Sequence, residues 1–174
     1  FSINMKLLIS ISLLVISING ALAQGTLGKG GKQLNAGFGF SSWGVPVYVG
    51  ADFGIHEDIS IGPKISYRKY TENYFFGEYS QTLFTVAVQG NYHFNRLLTL
   101  PEAWNLYAGV SLGYYSWSDV EWNNNSYDSV GEDSSIGFDL QVGGRYFFND
   151  RFAVNLEFGG GTASGGNVGI TYKF

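Results

Sequence analysis

The sequence of 174 residues contains no cysteine, so it can form neither a disulfide framework nor a thiolate metal site. Charged residues are also scarce, at 14% of the chain against a usual share of about 25%. The net charge is −4 and no basic face is evident, which argues against a nucleic-acid partner. The chain is instead rich in glycine, with 25 residues, and in aromatic residues, at 17%. A single domain whose surface is poor in charge is indicated.

The amino-terminal residues have the order of a secretory signal peptide. Lys6 precedes an apolar run over residues 7–18, and small residues follow up to Ala23. This order predicts cleavage before Gln24. A single membrane helix is the alternative, but it needs about 20 apolar residues. We therefore predict a signal peptide over residues 1–23, with residues 1–4 upstream of a start at Met5, and a flexible lead-in over residues 24–31.

From residue 32 onward, apolar residues alternate with small or polar ones. The last segment shows this most clearly, because Val168, Ile170, Tyr172 and Phe174 recur with a period of two. Eight such segments have about the ten-residue length that a tilted strand needs to cross a bilayer. The predicted strands cover residues 32–40, 45–55, 59–68, 81–94, 106–117, 136–148, 152–159 and 166–174.

The two faces of these strands differ in charge. The apolar faces carry no charged residue, whereas the opposite faces carry several. A basic residue facing lipid at the bilayer midplane would cost about 2–4 kcal/mol, so a charge-free band is what a bilayer requires. A water-soluble barrel would need the reverse arrangement. The predicted fold is all-β: an eight-stranded antiparallel up-and-down transmembrane barrel over residues 32–174, after the signal peptide.

The connections between strands differ in length. Outer-membrane barrels have short periplasmic turns and longer external loops. Residues 56–58 and 149–150 fit the first kind, and residues 69–80 and 118–135 fit the second. Two further connections fit this alternation less well: residues 95–105 are long for a periplasmic turn and residues 41–44 are short for an external loop.

Aromatic residues gather at the predicted strand ends. Two interfacial rings are expected, an inner one that includes Trp104 and Tyr146 and an outer one that includes Trp43 and Trp117. A proline removes a ladder hydrogen bond, and a closed barrel has no free edge to receive it. We therefore expect a β-bulge near Pro63.

Three stretches carry a resemblance to a known family: GNYHF at residues 90–94, GGRYFFNDRF at residues 143–152, and the terminal strand NVGITYKF at residues 167–174. They resemble the small outer-membrane β-barrel proteins common in Bacteroidetes, related in architecture to the OmpA/OmpX-like barrels. The resemblance implies location in the outer membrane. It also implies that Ile170, Tyr172 and Phe174 are recognised by the barrel-assembly machinery, although the same residues would face lipid in any case.

The inward charges of the predicted barrel nearly balance. They are Lys64, Arg68, Arg145 and Lys173 against Asp52, Asp139 and Glu157. Hairpin register would place Asp52 diagonal to Lys64 and Arg145 diagonal to Glu157, about 7–8 Å apart and within reach of long side chains. Because eight strands leave a lumen that side chains can fill, we predict a plugged, salt-bridged lumen. The alternative is a narrow pore for ions or small solutes, which the inward glycines favour.

The predicted external loop over residues 118–135 is acidic and contains aromatic residues. Its candidate contact residues are Asp119, Glu121, Trp122, Tyr127, Asp128, Glu132 and Asp133. Clustered carboxylates can bind calcium, but their spacing matches no EF-hand loop, which favours a solvated acidic loop. The aromatic residues could instead recognise an extracellular ligand or an envelope protein, or rest among lipid headgroups.

The sequence offers little support for catalysis. It has two histidines, His56 in a turn and His93 near a strand end, without an evident serine–carboxylate arrangement. Its glycine runs precede no helix that could bind phosphate. We predict a non-enzymatic protein without a cofactor, embedded in outer-membrane lipid, with a structural or surface-interaction role. A lipid-modifying enzyme is a distant alternative.

Overall fold

The computed structural model describes residues 25–74, 77–118, 120–122, 125–127, 134–163 and 165–174. Ten strands and one short helix lie within these ranges. In chain order they are β1 (Lys32–Phe40), β2 (Val45–His56), β3 (Ile59–Tyr74), β4 (Gly77–His93), α1 (Asn95–Leu98), β5 (Trp104–Trp117), β6 (Val120–Trp122), β7 (Asn125–Tyr127), β8 (Ser135–Phe147), β9 (Phe152–Gly161) and β10 (Gly165–Lys173).

Eight of these strands form a closed antiparallel barrel. The order around the barrel is β1, β2, β3, β4, β5, β8, β9 and β10, and β10 pairs with β1 to close it. In the described ranges, each of these eight strands pairs with a neighbour on both sides, as a bilayer requires. The predicted eight-stranded barrel is confirmed. Within the described ranges, no helix is both long enough and apolar enough to cross a membrane.

The alternation of the sequence determines which side chains face outward. The outward side chains of Val47, Leu112 and Leu140 are 50–60% exposed, whereas the inward Asp52 and Arg145 are 0% and 3% exposed. Large apolar residues therefore cover the outer wall, and most of the buried interior is polar. This is the distribution that a lipid environment and a hydrogen-bonded lumen produce.

The two ends of the barrel differ. The end that carries residues 56–58, α1 and residues 148–151 is called the turn end, and the opposite one the loop end. At the loop end, the predicted loop over residues 69–80 is wrong, because β3 and β4 continue pairing as far as Tyr74 opposite Gly77. This part of the hairpin lies beyond the lipid-facing band. Its strands therefore pair through their backbones without needing an apolar face.

The predicted loop over residues 118–135 contains a second hairpin. Strands β6 and β7 pair with each other, and β6 also pairs with the extension of β4, with Tyr79 opposite Trp122. The sequence pattern did not predict these strands because three residues each are too few to show a period of two.

The bulge expected near Pro63 is also wrong. The β2–β3 register is the same on both sides of the proline, with Gly50 opposite Lys64 and Phe53 opposite Ile61. Pro63 also lies in regular register with Val88 of β4. The irregularity occurs instead between Gly54 and His56, where β2 enters the tight turn. The barrel thus accommodates the missing N–H of Pro63 without inserting a residue.

Candidate functional site in the barrel lumen

The centre of the lumen is organised around Asp52. Its Oδ2 accepts hydrogen bonds from Gln33 Nε2 at 2.7 Å, Asn35 Nδ2 at 2.9 Å and Arg145 Nη2 at 3.0 Å. Its Oδ1 accepts one from Gln89 Nε2 at 2.7 Å. The donors come from β1, β4 and β8, so one buried carboxylate ties three other strands to β2. A buried charge needs this degree of hydrogen bonding to be tolerated.

Arg145 crosses the lumen to reach that carboxylate. Its guanidinium carbon lies 4.1 Å from the centroid of the Tyr107 ring, a cation–π contact. Its Nη1 donates to Asn105 Oδ1 at 3.3 Å. The Tyr107 ring fits because Gly143 lies beside it: a Cβ at Gly143 would be 2.5 Å from Tyr107 Oη. The glycine opposite Tyr107 therefore makes room for an aromatic ring.

A second ion pair lies beside the first. Lys64 Nζ is 2.6 Å from Glu157 Oε1, and Tyr107 Oη donates to Glu157 Oε2 at 2.9 Å. Lys64 Nζ also lies 5.1 Å from the centroid of the Tyr48 ring. Because Tyr107 contacts both Glu157 and Arg145, it joins the two ion pairs into one buried network.

The predicted partners within this network are wrong. Hairpin register is as expected, with Gly54 opposite Ser60 and Arg145 opposite Asn155. The ion pairs nevertheless form between Arg145 and Asp52 and between Lys64 and Glu157, each across the barrel. An eight-stranded barrel is narrow enough for long side chains from opposite walls to meet, so contacts across the lumen replace diagonal ones along a hairpin.

The other predicted lumen charges lie at different depths. Towards the loop end, Arg68 and Asp139 line a cavity of about 60 Å³, where Tyr115 Oη donates to Asp139 Oδ2. Towards the turn end, Lys173 Nζ donates to the Thr26 carbonyl at 2.8 Å and lies 5.0 Å from the Phe147 ring centroid. The structure therefore brings four of the seven predicted charges into one network and separates the remaining three.

Residues 25–31, predicted as part of a flexible lead-in, lie at the turn end. Gly30 N donates to the Gly54 carbonyl at 2.7 Å, and Gly54 N donates to the Gly31 carbonyl at 2.9 Å. Leu27 is buried, with 8% of its surface exposed. Together with the Lys173 contact, these bonds hold the segment against β2 and β10 at that mouth of the lumen.

At the loop end, four aromatic side chains form a cluster, here called the aromatic cap: Trp43, Tyr70, Tyr79 and Trp117. Trp43 stacks on Tyr70 with ring centroids 5.5 Å apart and meets Trp117 edge-on at 4.9 Å. Trp117 pairs with the buried Leu83, and by strand alternation it points inward. The expectation that Trp43 and Trp117 join an outer lipid-facing ring is therefore wrong, because they pack over the mouth of the lumen.

Sequence reasoning missed a hydrogen-bonded chain of Ser60, His93 and Asn105. Ser60 Oγ lies 2.9 Å from His93 Nε2, and His93 Nδ1 lies 3.0 Å from Asn105 Oδ1. All three residues are inward on their strands, which the alternation alone could have indicated. Ser60 is 0% exposed, so its hydroxyl does not face a surface that a substrate could reach. The chain gives a hydrogen-bond partner to each ring nitrogen of the buried His93, as native interiors require.

The remaining predicted site residues are those of the acidic loop and the terminal strand. Asp119, Asp128, Glu132 and Asp133 lie outside the described residues, and the backbone places Glu121, Trp122 and Tyr127 in the β6–β7 hairpin. In β10, the outward side chain of Ile170 is 56% exposed, and the terminal Phe174 is 70% exposed. In the part of the chain that the structure describes, no three His, Cys, Asp or Glu residues are grouped so that they could hold a metal ion.

A closed barrel with an apolar exterior and a polar, hydrogen-bonded interior defines an integral membrane β-barrel. Residues 11–174 match the model of the outer membrane protein beta-barrel domain family, and the chain belongs to that family. It is therefore an outer-membrane protein. A comparison with curated protein sequences finds no match.

Solved structures that share the fold include three from two organisms. The outer membrane protein OprG of Pseudomonas aeruginosa is 12% identical with a TM-score of 0.61, over 89% of this chain and 99% of that one. The N-terminal β-barrel domain of OprF from the same organism is 16% identical with a TM-score of 0.55, over 84% and 99%. Ail, the attachment invasion locus protein of Yersinia pestis, in complex with the heparin analogue sucrose octasulfate, is 10% identical with a TM-score of 0.54, over 84% and 99%. At these identities the likeness concerns the fold alone.

Proposed function

We propose that this outer-membrane barrel has a plugged lumen and a structural or surface-interaction role, with its loop end as the contact surface. The observation that carries the proposal is the pair of ion pairs across the lumen, Arg145 with Asp52 and Lys64 with Glu157. Solutes that enter from either end meet paired charges that are costly to separate in a buried site. The aromatic cap and residues 25–31 lie at the two mouths of the lumen, and their positions also support a plugged lumen.

Conductance of the refolded protein in a planar bilayer tests the plug. We expect a folded barrel without stable openings. The double variant Asp52→Ala/Arg145→Ala removes the central pair and should show ion-conducting steps, which would prove that silence in the native protein comes from the plug. Stable, ion-selective openings of the native protein would overturn the proposal.

A narrow pore is the second candidate. The cavity of about 60 Å³ below the aromatic cap adjoins a smaller one of about 10 Å³ beside Tyr48 and Gln89, so water-sized spaces follow one another along the axis. The inward glycines give less support than expected, since a Cβ at Gly113 would lie 2.5 Å from the Ala87 Cβ. In a pore, Lys64 and Glu157 would be constriction residues, and Glu157→Gln would shift selectivity towards anions.

The contact surface is the loop end. Residues 118–135 contain five acidic residues and no basic one, so the charge would repel a polyanion. Ail is seen with a heparin analogue, and we propose a different preference here: an uncharged or cationic extracellular ligand, or an envelope protein. Deleting residues 122–133 should abolish such binding and leave the barrel folded. Unchanged binding and adhesion would exclude this loop as the functional element.

We further propose that Ile170, Tyr172 and Phe174 form the signal for the barrel-assembly machinery, and that the signal peptide is cleaved before Gln24. Strand β10 pairs with β1 to close the barrel, which supports a role in the last step of assembly. The variant Phe174→Ala should lower insertion by the reconstituted machinery and leave unassisted refolding in detergent unchanged. Equal loss in both assays would assign Phe174 to stability alone.

A further inference from the structure

A groove of about 560 Å³ runs along the outer wall where β5, β8 and β9 meet. Its rim is almost entirely apolar, and Gly144 forms its floor. The side chains that line it include Trp104, Leu106, Val142, Tyr146, Leu156 and Phe158.

The groove exists because an outward position lacks a side chain. On β8, Val142 and Tyr146 point outward, and Gly144 occupies the outward position between them. Gly144 pairs with Leu106 of β5 and with Leu156 of β9. The large side chains of the two neighbouring strands therefore surround a depression above Gly144. Leu106 leans over the edge, since its Cδ2 would lie 3.2 Å from a Cβ at Gly144.

We propose that this groove is a binding site for one acyl chain of a membrane phospholipid. The groove is continuous with the lipid-facing wall, because Val142 and Leu156 are 59% and 45% exposed on it. Arg145 and Asn155 lie behind the groove with their side chains buried in the lumen, at 3% and 4% exposure. An apolar groove at this depth is filled by hydrocarbon, and a flexible acyl chain can follow its irregular floor.

The turn end of the groove indicates where the headgroup lies. Trp104 and Tyr146 pack edge-to-face there, with ring centroids 5.0 Å apart. Aromatic residues with a polar atom favour the membrane interface, where one side is apolar and the other is wet. The bound chain thus belongs to a phospholipid of the leaflet at the turn end. Within a bilayer, a bound molecule gains affinity from van der Waals contact with the protein rather than from exclusion of water. A concave groove makes more van der Waals contacts with an acyl chain than the convex wall around it does.

The variant Gly144→Leu tests the site by filling it. The added Cβ would lie 3.2 Å from Leu106 Cδ2, the end of a flexible side chain that can shift by the few tenths of an ångström needed. The matched control is Gly90→Leu, an outward glycine of β4 whose added Cβ would have no heavy atom within 4 Å. Each protein is refolded into vesicles of phosphatidylethanolamine and phosphatidylglycerol, transferred to a mild detergent and examined by native mass spectrometry, with urea unfolding to confirm that all three are folded.

We expect one retained phospholipid on the native protein and on Gly90→Leu. Retention should fall roughly tenfold in Gly144→Leu, the change expected when about ten van der Waals contacts are lost. Bromine atoms on the acyl chains should also quench Trp104 less in that variant. Equal retention by all three proteins would overturn the proposal. A dimer of the native protein that Gly144→Leu abolishes would overturn it too, by assigning the groove to a second copy of the chain.

Discussion

Arg145 and Asp52 form an ion pair across the full diameter of the barrel, with Nη2 3.0 Å from Oδ2. Their strands, β8 and β2, are separated by three strands on either side of the ring. The strands of Lys64 and Glu157, β3 and β9, are opposite in the same way. Two ion pairs, each along one of two neighbouring diameters, therefore bridge the lumen. The free energy of unfolding depends on which of the four charges are partners.

Removing the Arg145 side chain should lower the free energy of unfolding. The variant Arg145→Met leaves the Asp52 carboxylate buried without its ion partner, and the free energy of unfolding should fall by about 3–5 kcal/mol. Adding Asp52→Asn should restore part of this loss. Urea unfolding in phospholipid vesicles gives the coupling free energy of the pair. The matched cycle of Arg145 with Glu157 should give a smaller coupling free energy, and a larger one would contradict the observed pairing.

Tyr107 should contribute stability through its hydroxyl. Tyr107→Phe keeps the ring below Arg145 but removes the donor to Glu157 Oε2. Since hydrogen bonds to charged groups contribute about 1.5–3 kcal/mol, the free energy of unfolding should fall by that amount. The control is Tyr67→Phe, whose ring is on the outer wall and 45% exposed. A similar loss in both variants would show that the bond to Glu157 is not the cause.

The aromatic cap should limit access to the loop-end cavity. Because the chain has no native cysteine, the variant Ser66→Cys places one thiol in that cavity, which Ser66 lines. Adding Trp43→Ala removes the ring stacked on Tyr70 and should raise the rate of thiol modification by a water-soluble reagent. Trp104→Ala, at the opposite end, is the control and should leave the rate unchanged. Equal rates with and without Trp43 would mean that the cap does not cover the cavity.

A charged residue on the outer wall should lower the free energy of unfolding by an amount that depends on its depth in the bilayer. Val110→Arg places a guanidinium at the middle outward position of β5, and the free energy of unfolding in vesicles should fall by about 2–4 kcal/mol. Ile136→Arg lies near the loop end of β8 and should cost only about 0–1 kcal/mol. Equal costs at the two positions would contradict a lipid-facing band centred on the middle of the strands.

The period of two predicted the barrel and the direction of its side chains, because alternation is a local property of each strand. Val47 points outward and Asp52 inward for that reason alone. The partners of Asp52 could not be predicted in the same way, since contacts across the lumen depend on how the closed ring brings opposite walls together. The loop-end hairpins were missed because, beyond the lipid-facing band, strands need no apolar face and leave no periodic pattern. The shared inward direction of Ser60 and His93 could be predicted from alternation, but their contact could not, because the long loop predicted over residues 69–80 left the β3–β4 register undetermined.

The two bridged diameters also bear on how the barrel resists deformation. In an eight-stranded ring, the β2–β8 and β3–β9 diameters cross at about 45°. An oval distortion along one of them leaves the length of the other nearly unchanged, so the two ion pairs resist distortions of different orientation. Because an oval distortion of any orientation changes the length of at least one bridged diameter, lateral pressure from the bilayer or from a neighbouring protein meets resistance from every side.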